Sequence, residues 1–160
     1  MNPPMAHDLQ SDHTRLQRAL WWLVLACFAH VAEEFGLDWS SWVKGLSGLS
    51  VGWGLFAVAN AAFLILAAAA ASFGPARPVI AFALPSLTLI NAVLFHLGPT
   101  LVQGRLSPGV FTSAALYLPL SVWIFREAAR CRLLSASLAL RSFALGAFVM
   151  ALPLVLIRLL

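Results

Sequence analysis

A histidine followed three and four residues later by two glutamates, His30-Val31-Ala32-Glu33-Glu34, lies near the end of a strongly apolar stretch. On a helix, residues three and four apart share a face, so both carboxylates neighbour the imidazole. Ionisable groups inside a membrane-spanning helix are rare, face a partner or a wet cavity, and mark function. These residue types suit a divalent metal or acid–base work. His30 and Glu34 present a nitrogen and an oxygen ligand, and His96, in a later apolar stretch, is the candidate third. Two histidines and one glutamate around an open position form a catalytic zinc set. Glu33 is then left beside the activated water as general base. Ligand type alone leaves zinc, iron and manganese open.

A second arrangement has both glutamates bridging two metals, as carboxylates and histidines do in di-iron bundles. The order of residues is also similar to the H-x-x-E-H helix motif of some zinc peptidases, with the last histidine replaced by Glu34. Against these stands a plainer reading, in which Glu33 and Glu34 simply mark the wet end of a span beside Trp39. Cys27 lies one turn before His30, although a small buried hydrophobe is the commoner fate of such a residue. Cys131 falls on a different segment, so a disulfide is not expected.

The elements that position these groups follow from composition. Hydrophobic residues make up 61% of the 160 and charged ones 10%, against about 45–50% and about 25% in soluble domains. Too little polar surface remains to cover a soluble globule. The expected fold is therefore an all-α, polytopic membrane bundle. A span needs about 20 mainly apolar residues, and five stretches qualify, near 19–37, 51–73, 79–101, 108–125 and 140–160. Residues 1–18 read as a polar cytoplasmic tail without a signal peptide of its own, and 19–160 as the membrane domain. The alanine run Ala67–Ala71 reads as helix-packing surface.

Arginine and lysine placement sets the expected orientation. With the N-terminus cytoplasmic, Arg15, Arg18, Arg77, Arg126, Arg130, Arg132 and Arg141 lie inside, and only Lys44, Arg105 and Arg158 outside. This is the positive-inside pattern, and the six tryptophans fall near span ends as an aromatic belt requires. His30, Glu33, Glu34 and His96 then approach the outer face together, where the turn Arg105-Leu106-Ser107-Pro108-Gly109 opens the fourth span. Ser107 reads as its N-cap with Pro108 at the first helical position. The free amides there could face a glutamate or an anionic substrate. Asn91 precedes His96 by five residues, with Pro85 and Pro99 bending that helix. Asn60, midway along the second span, reads as an interhelical hydrogen-bonding group. Tyr117 and Pro119 suggest a kink and are assigned no chemistry.

The residues His30-Val31-Ala32-Glu33-Glu34-Phe35, then Asn91-Ala92 with His96, then Ser107-Pro108-Gly109, resemble the HXXEE family of small integral membrane proteins. The resemblance runs from the first span through the fourth. It implies that His30, Glu33, Glu34, Asn91, His96 and Pro108-Gly109 are marked positions of an active or metal site. The family tends to carry an aromatic, usually tyrosine, before the Pro-Gly turn, where this chain has Leu106.

The leading expectation is a metal-dependent hydrolase of the plasma (bacterial inner) membrane, its site facing the extracytoplasmic side. Its substrate would be lipid-soluble or membrane-borne, its cofactor a divalent metal, zinc or else iron or manganese, and its setting the lipid bilayer. No organic cofactor and no nucleic acid is expected, because the arginines form no aromatic-interleaved patch. Two other classes stand beside it: a small ion, proton or solute transporter using the same cluster, and a scaffold in which the cluster only pins helices together.

Overall fold

The computed structural model describes residues 6–159, and among side chains those of residues 10–153 and Val155. Met1–Met5, the Arg158 side chain and Leu160, on which parts of the expected tail, charge count and last span fall, lie outside the described residues. The described chain is helical with no strand. Four helices are long and apolar enough to cross a membrane: Gln10–Gly36, Trp53–Ala76, Pro78–Gln103 and Ala136–Pro153.

The first helix, α1, spans Ala6–Gly36, so the expected N-terminal tail is largely a helical extension of the first span. Asp38, in the left-handed region at φ 51°, turns the chain and caps α2 (Trp39–Ser47) by accepting from the Ser41 amide. This short helix buries no residue. Ser40 Oγ donates to the Val51 carbonyl, and Trp39 and Trp53 each pack on Phe56. Next comes α3, Trp53–Phe73, whose alanines Ala67, Ala70 and Ala71 are buried as packing surface.

The third long helix changes pitch along its course. It begins as α4 (Pro78–Ile90), widens to a π-helical segment over Asn91–Leu97, and ends as α5 (Gly98–Gln103). After the turn at 104–109 the chain resumes as α6 (Val110–Thr112), widens again over Ser113–Tyr117, and continues as α7 (Leu118–Arg130). Both wide segments stop two residues before a proline, Pro99 and Pro119. A proline inside a helix clashes with the carbonyl four residues back, here Phe95 and Ala115, each inside its π segment. Widening to i−5 bonds relieves that clash: Gly98 N–H donates to Val93 and Leu118 N–H to Ser113. The stretch 110–130 is thus helical as expected of the fourth span, but it carries Thr112, Ser113, Tyr117 and Ser121 and ends on Arg126, Glu127 and Arg130.

The last helix, α8 (Ala136–Leu159), packs along α4. Gly146 permits that contact, since a Cβ there would come within 2.9 Å of the Ala83 carbonyl and the Leu87 amide. The main core joins Leu16, Leu20, Leu23 and Cys27 of α1 to Ala71, Phe82, Tyr117 and Ile124. At the N-terminal end of α1, Arg15 meets the buried Glu127 carboxylate of α7 at 2.8 Å, with Arg130 on its other oxygen at 3.1 Å. The opposite end of the bundle carries the histidines.

Candidate metal centre

Three elements meet at that end: the last two turns of α1, the π segment Asn91–Leu97, and the turn 107–112. They bring together His30, Glu34 and His96, all buried. Nε2 of His30 lies 3.6 Å and Nε2 of His96 lies 3.5 Å from the same Glu34 oxygen, Oε1. Both distances exceed those of a direct charge-assisted hydrogen bond, about 2.7–2.9 Å. They match a shared metal instead: ligands about 2.0–2.1 Å from a tetrahedral ion stand about 3.4 Å apart. Neither Nε2 has a hydrogen-bond partner, although a buried polar atom ordinarily finds one. The remaining ring nitrogens are both engaged. His30 Nδ1 lies 2.9 Å from Thr112 Oγ1, and His96 Nδ1 lies 3.1 Å from Ser107 Oγ. A hydroxyl accepting from Nδ1–H leaves the Nε2 lone pair free to ligate, the usual way a metal-bound imidazole is held. Among the described residues, His30, Glu34 and His96 form the group of ligands close enough to hold one ion.

Gly109 is the wedge between the two rings. Its φ of 93° is a conformation that side chains disfavour, and a Cβ would lie 2.6 Å from His30 Cε1 and 2.7 Å from His96 Cε1. The imidazoles themselves meet edge to face, with centroids 4.7 Å apart.

Glu33 has a different task from the proton carrier expected of it. Its Oε1 accepts from the Gly109 and Phe111 amides at 3.1 and 3.0 Å, and its Oε2 from Thr112 at 2.8 Å. These are the orphan donors at the start of the helix over 110–130, where a carboxylate also complements the helix dipole. Ser107 is correspondingly not the N-cap that the sequence suggests. Gly109 takes that position without a side-chain cap, Pro108 stays outside the helix, and the Ser107 hydroxyl turns to His96. The cap arrives from another helix, leaving Ser107 free to orient a ligand.

Two of the expected supporting residues lie elsewhere. Asn60 donates to the Phe56 carbonyl of its own helix at 3.0 Å rather than between helices. Asn91 sends Nδ2 toward Met150 Sδ on α8 at 4.0 Å, and its Oδ1 is unpartnered. Sequence reasoning passed over two others. Thr112 orients His30, and Tyr117, the chain's one tyrosine, stacks on the His30 ring at 4.5 Å with its hydroxyl buried beside the Cys27 thiol. Leu106 is 61% exposed. Depth was the available signal for Tyr117: it follows the start of its helix by about as many residues as His30 precedes the end of α1.

Compared with known families, the chain matches one described as "Protein of unknown function with HXXEE motif" over residues 21–124. That range holds every residue of the centre and leaves α8 outside. No curated protein and no solved structure matches the chain.

Proposed function

The chain belongs to the HXXEE family, and from the geometry of its namesake motif we propose that it is a metal-dependent hydrolase acting on a membrane-borne substrate. The observation that carries this reading is the pair of unpartnered Nε2 atoms converging on one Glu34 oxygen at 3.5–3.6 Å. Nitrogen and oxygen ligands at that spacing suit zinc, with iron or manganese as the other candidates. Three protein ligands leave a fourth position for chemistry. A divalent metal held there polarises a carbonyl or phosphoryl oxygen and acidifies water.

The chain's own residues then have separable roles. Thr112 and Ser107 fix the ring orientations of His30 and His96. Glu33 anchors the turn that carries Gly109, Ser107 and Thr112. With Glu33 so occupied, the ionisable groups left at the centre are Glu34 and Tyr117. A relay or transport path would continue polar groups along α1 away from the cluster. That face instead runs through Cys27, Leu23, Leu20 and Leu16, all buried in the apolar core, which favours an enzyme over a transporter. The centre sits at the opposite end of the bundle from the Arg15–Glu127–Arg130 cluster. Under the positive-inside rule this orients it toward the extracytoplasmic face of the plasma membrane.

The test is elemental analysis of detergent-purified protein after zinc supplementation, together with hydrolysis of a micellar p-nitrophenyl decanoate. Wild type is expected to hold one equivalent of metal and to hydrolyse the ester in proportion to it. His30→Ala and His96→Ala should lose both. Well-folded wild type without metal would sink the reading; metal without hydrolysis would leave a binding or scaffold role.

A further inference from the structure

The seam between α1 and the helix over 110–130 is pinned at both ends, packed on its core side through Leu23, Cys27, Tyr117 and Ile124, and grooved on its outer side. One end is closed by the Arg15–Glu127 ion pair at 2.8 Å. The other is closed by the His30–Thr112 contact at 2.9 Å and the amides on Glu33. Between the pins lies a groove of about 540 Å³ lined by Trp22, Leu25, Ala26, Leu116, Pro119 and Trp123, with Ala115 and Leu120 completing it. No lining side chain carries a charge or a hydroxyl, and the indole nitrogens of Trp22 and Trp123 are its only side-chain polar atoms.

The two helical rows that wall the groove lead into the centre. On α1, Trp22 and Ala26 are followed at the same four-residue step by His30. On the facing helix, Trp123, Pro119 and Ala115 step back toward Thr112. The His30–Thr112 contact lies about one turn beyond Ala26 and Ala115 on these rows, at the edge of the metal centre. From Ala115 to Trp123 the helix rises about 12 Å, roughly the length of an extended ten-carbon chain.

Resting on the metal-centre reading above, we propose that this groove seats the acyl chain of the substrate, so that the substrate class is an acyl amphiphile whose polar linkage lies at His30. An unbranched hydrocarbon suits it because no wall offers a polar side-chain partner except the two indoles. An apolar chain gains little from hydrophobic transfer when its alternative is lipid, so the groove acts by orienting the chain and directing its head to the centre.

The experiment uses two zinc-binding probes that differ only in chain length, acetohydroxamate and decanohydroxamate. Each is titrated into zinc-loaded, full-length protein in nanodiscs. With the probe counted as the fraction dissolved in the nanodisc lipid, decanohydroxamate should bind at least tenfold more tightly to wild type than acetohydroxamate. Ala115→Trp, which fills the groove from an exposed position, should remove at least tenfold of that advantage while leaving zinc content and acetohydroxamate binding unchanged. Leu25→Trp should do the same from the other wall, and Ala114→Trp, on the same helix outside the groove, should not. A chain-length advantage that survives both groove-filling variants, or that is absent from wild type, overturns the groove. Zinc without hydroxamate binding also overturns it and leaves the metal centre standing. Absence of zinc itself overturns both.

Discussion

At the scale of single residues, the centre depends most on the one that has no side chain. Gly109 places its Cα where a methyl group would strike both imidazoles within 2.7 Å, and its φ of 93° would strain any replacement by about 1–2 kcal/mol. Gly109→Ala is therefore expected to displace His30 and His96 and to lower zinc affinity at least a hundredfold, with a smaller loss of thermal stability. Competition against a chromophoric chelator checks the first effect, and unchanged affinity would refute the wedge role. His30, Glu34 and His96 were legible in the sequence because their types and helical spacing carry the information. The division of labour between Glu33 and Glu34 was not. At i+3 and i+4 from His30 both share its face, and what separates them is a turn 75 residues downstream whose amides are short of an acceptor.

Between elements, the same carboxylate ties α1 to the start of the helix over 110–130. Glu33→Gln retains an acceptor for two of the three amides but turns an –NH₂ toward another donor or toward solvent. Glu33→Ala orphans all three. A buried donor left without a partner costs about 1–3 kcal/mol. The expected order of thermal stability is therefore wild type, then Gln, then Ala, with metal affinity falling in the same order. Thermal unfolding in detergent with and without zinc checks it, and equal stability of Gln and Ala variants would contradict the cap. The helical class, the approximate positions of four long apolar helices and the packing role of the alanine run were readable from apolarity and length, whereas the fifth expected span, 108–125, is not among the helices apolar enough to cross a membrane. The π segments were not, because a proline signals only that a helix must adjust. Whether it kinks, breaks or widens depends on its neighbours, and here the widening is what aims His96 and Tyr117 inward.

Across the whole molecule, charge and chemistry lie at opposite ends. Arg15, Glu127 and Arg130 gather at one, and the histidines, Glu34 and Gly109 at the other. Cys131, just past α7, belongs to the charged end, and its thiol gives a direct reading of orientation. Burial, with Asp12 bonded to it, pushes that thiol above its ordinary range. Its thiolate fraction at neutral pH is accordingly small, and alkylation should accelerate as pH rises through the alkaline region. Cys27 is buried in the core and should stay unreactive in the folded chain. If the arginine-rich end is cytoplasmic, a membrane-impermeant maleimide applied to intact cells should leave Cys131 unlabelled, and lysis at alkaline pH should expose it. Labelling of intact cells, lost in Cys131→Ser, would reverse the orientation. The sequence carried this polarity in its arginine count. It did not carry the groove, which forms only where the outer faces of two packed helices meet.

The cap that Glu33 provides also sets a sequence of events during biogenesis. At the start of the helix over 110–130 the Val110 amide is closed locally by the Ser107 carbonyl, whereas those of Gly109, Phe111 and Thr112 have their acceptor on α1. These three are closed only when the first span, made some 75 residues earlier, docks beside them. Lateral assembly of the first and fourth long segments is thus coupled to completion of the ligand set, since the same docking brings His30 to Thr112 and seats Gly109 between the rings. A chain whose helices have formed but not yet come together lacks the His30–Glu34–His96 group, so whatever that group binds can be bound only by a bundle that has finished assembling.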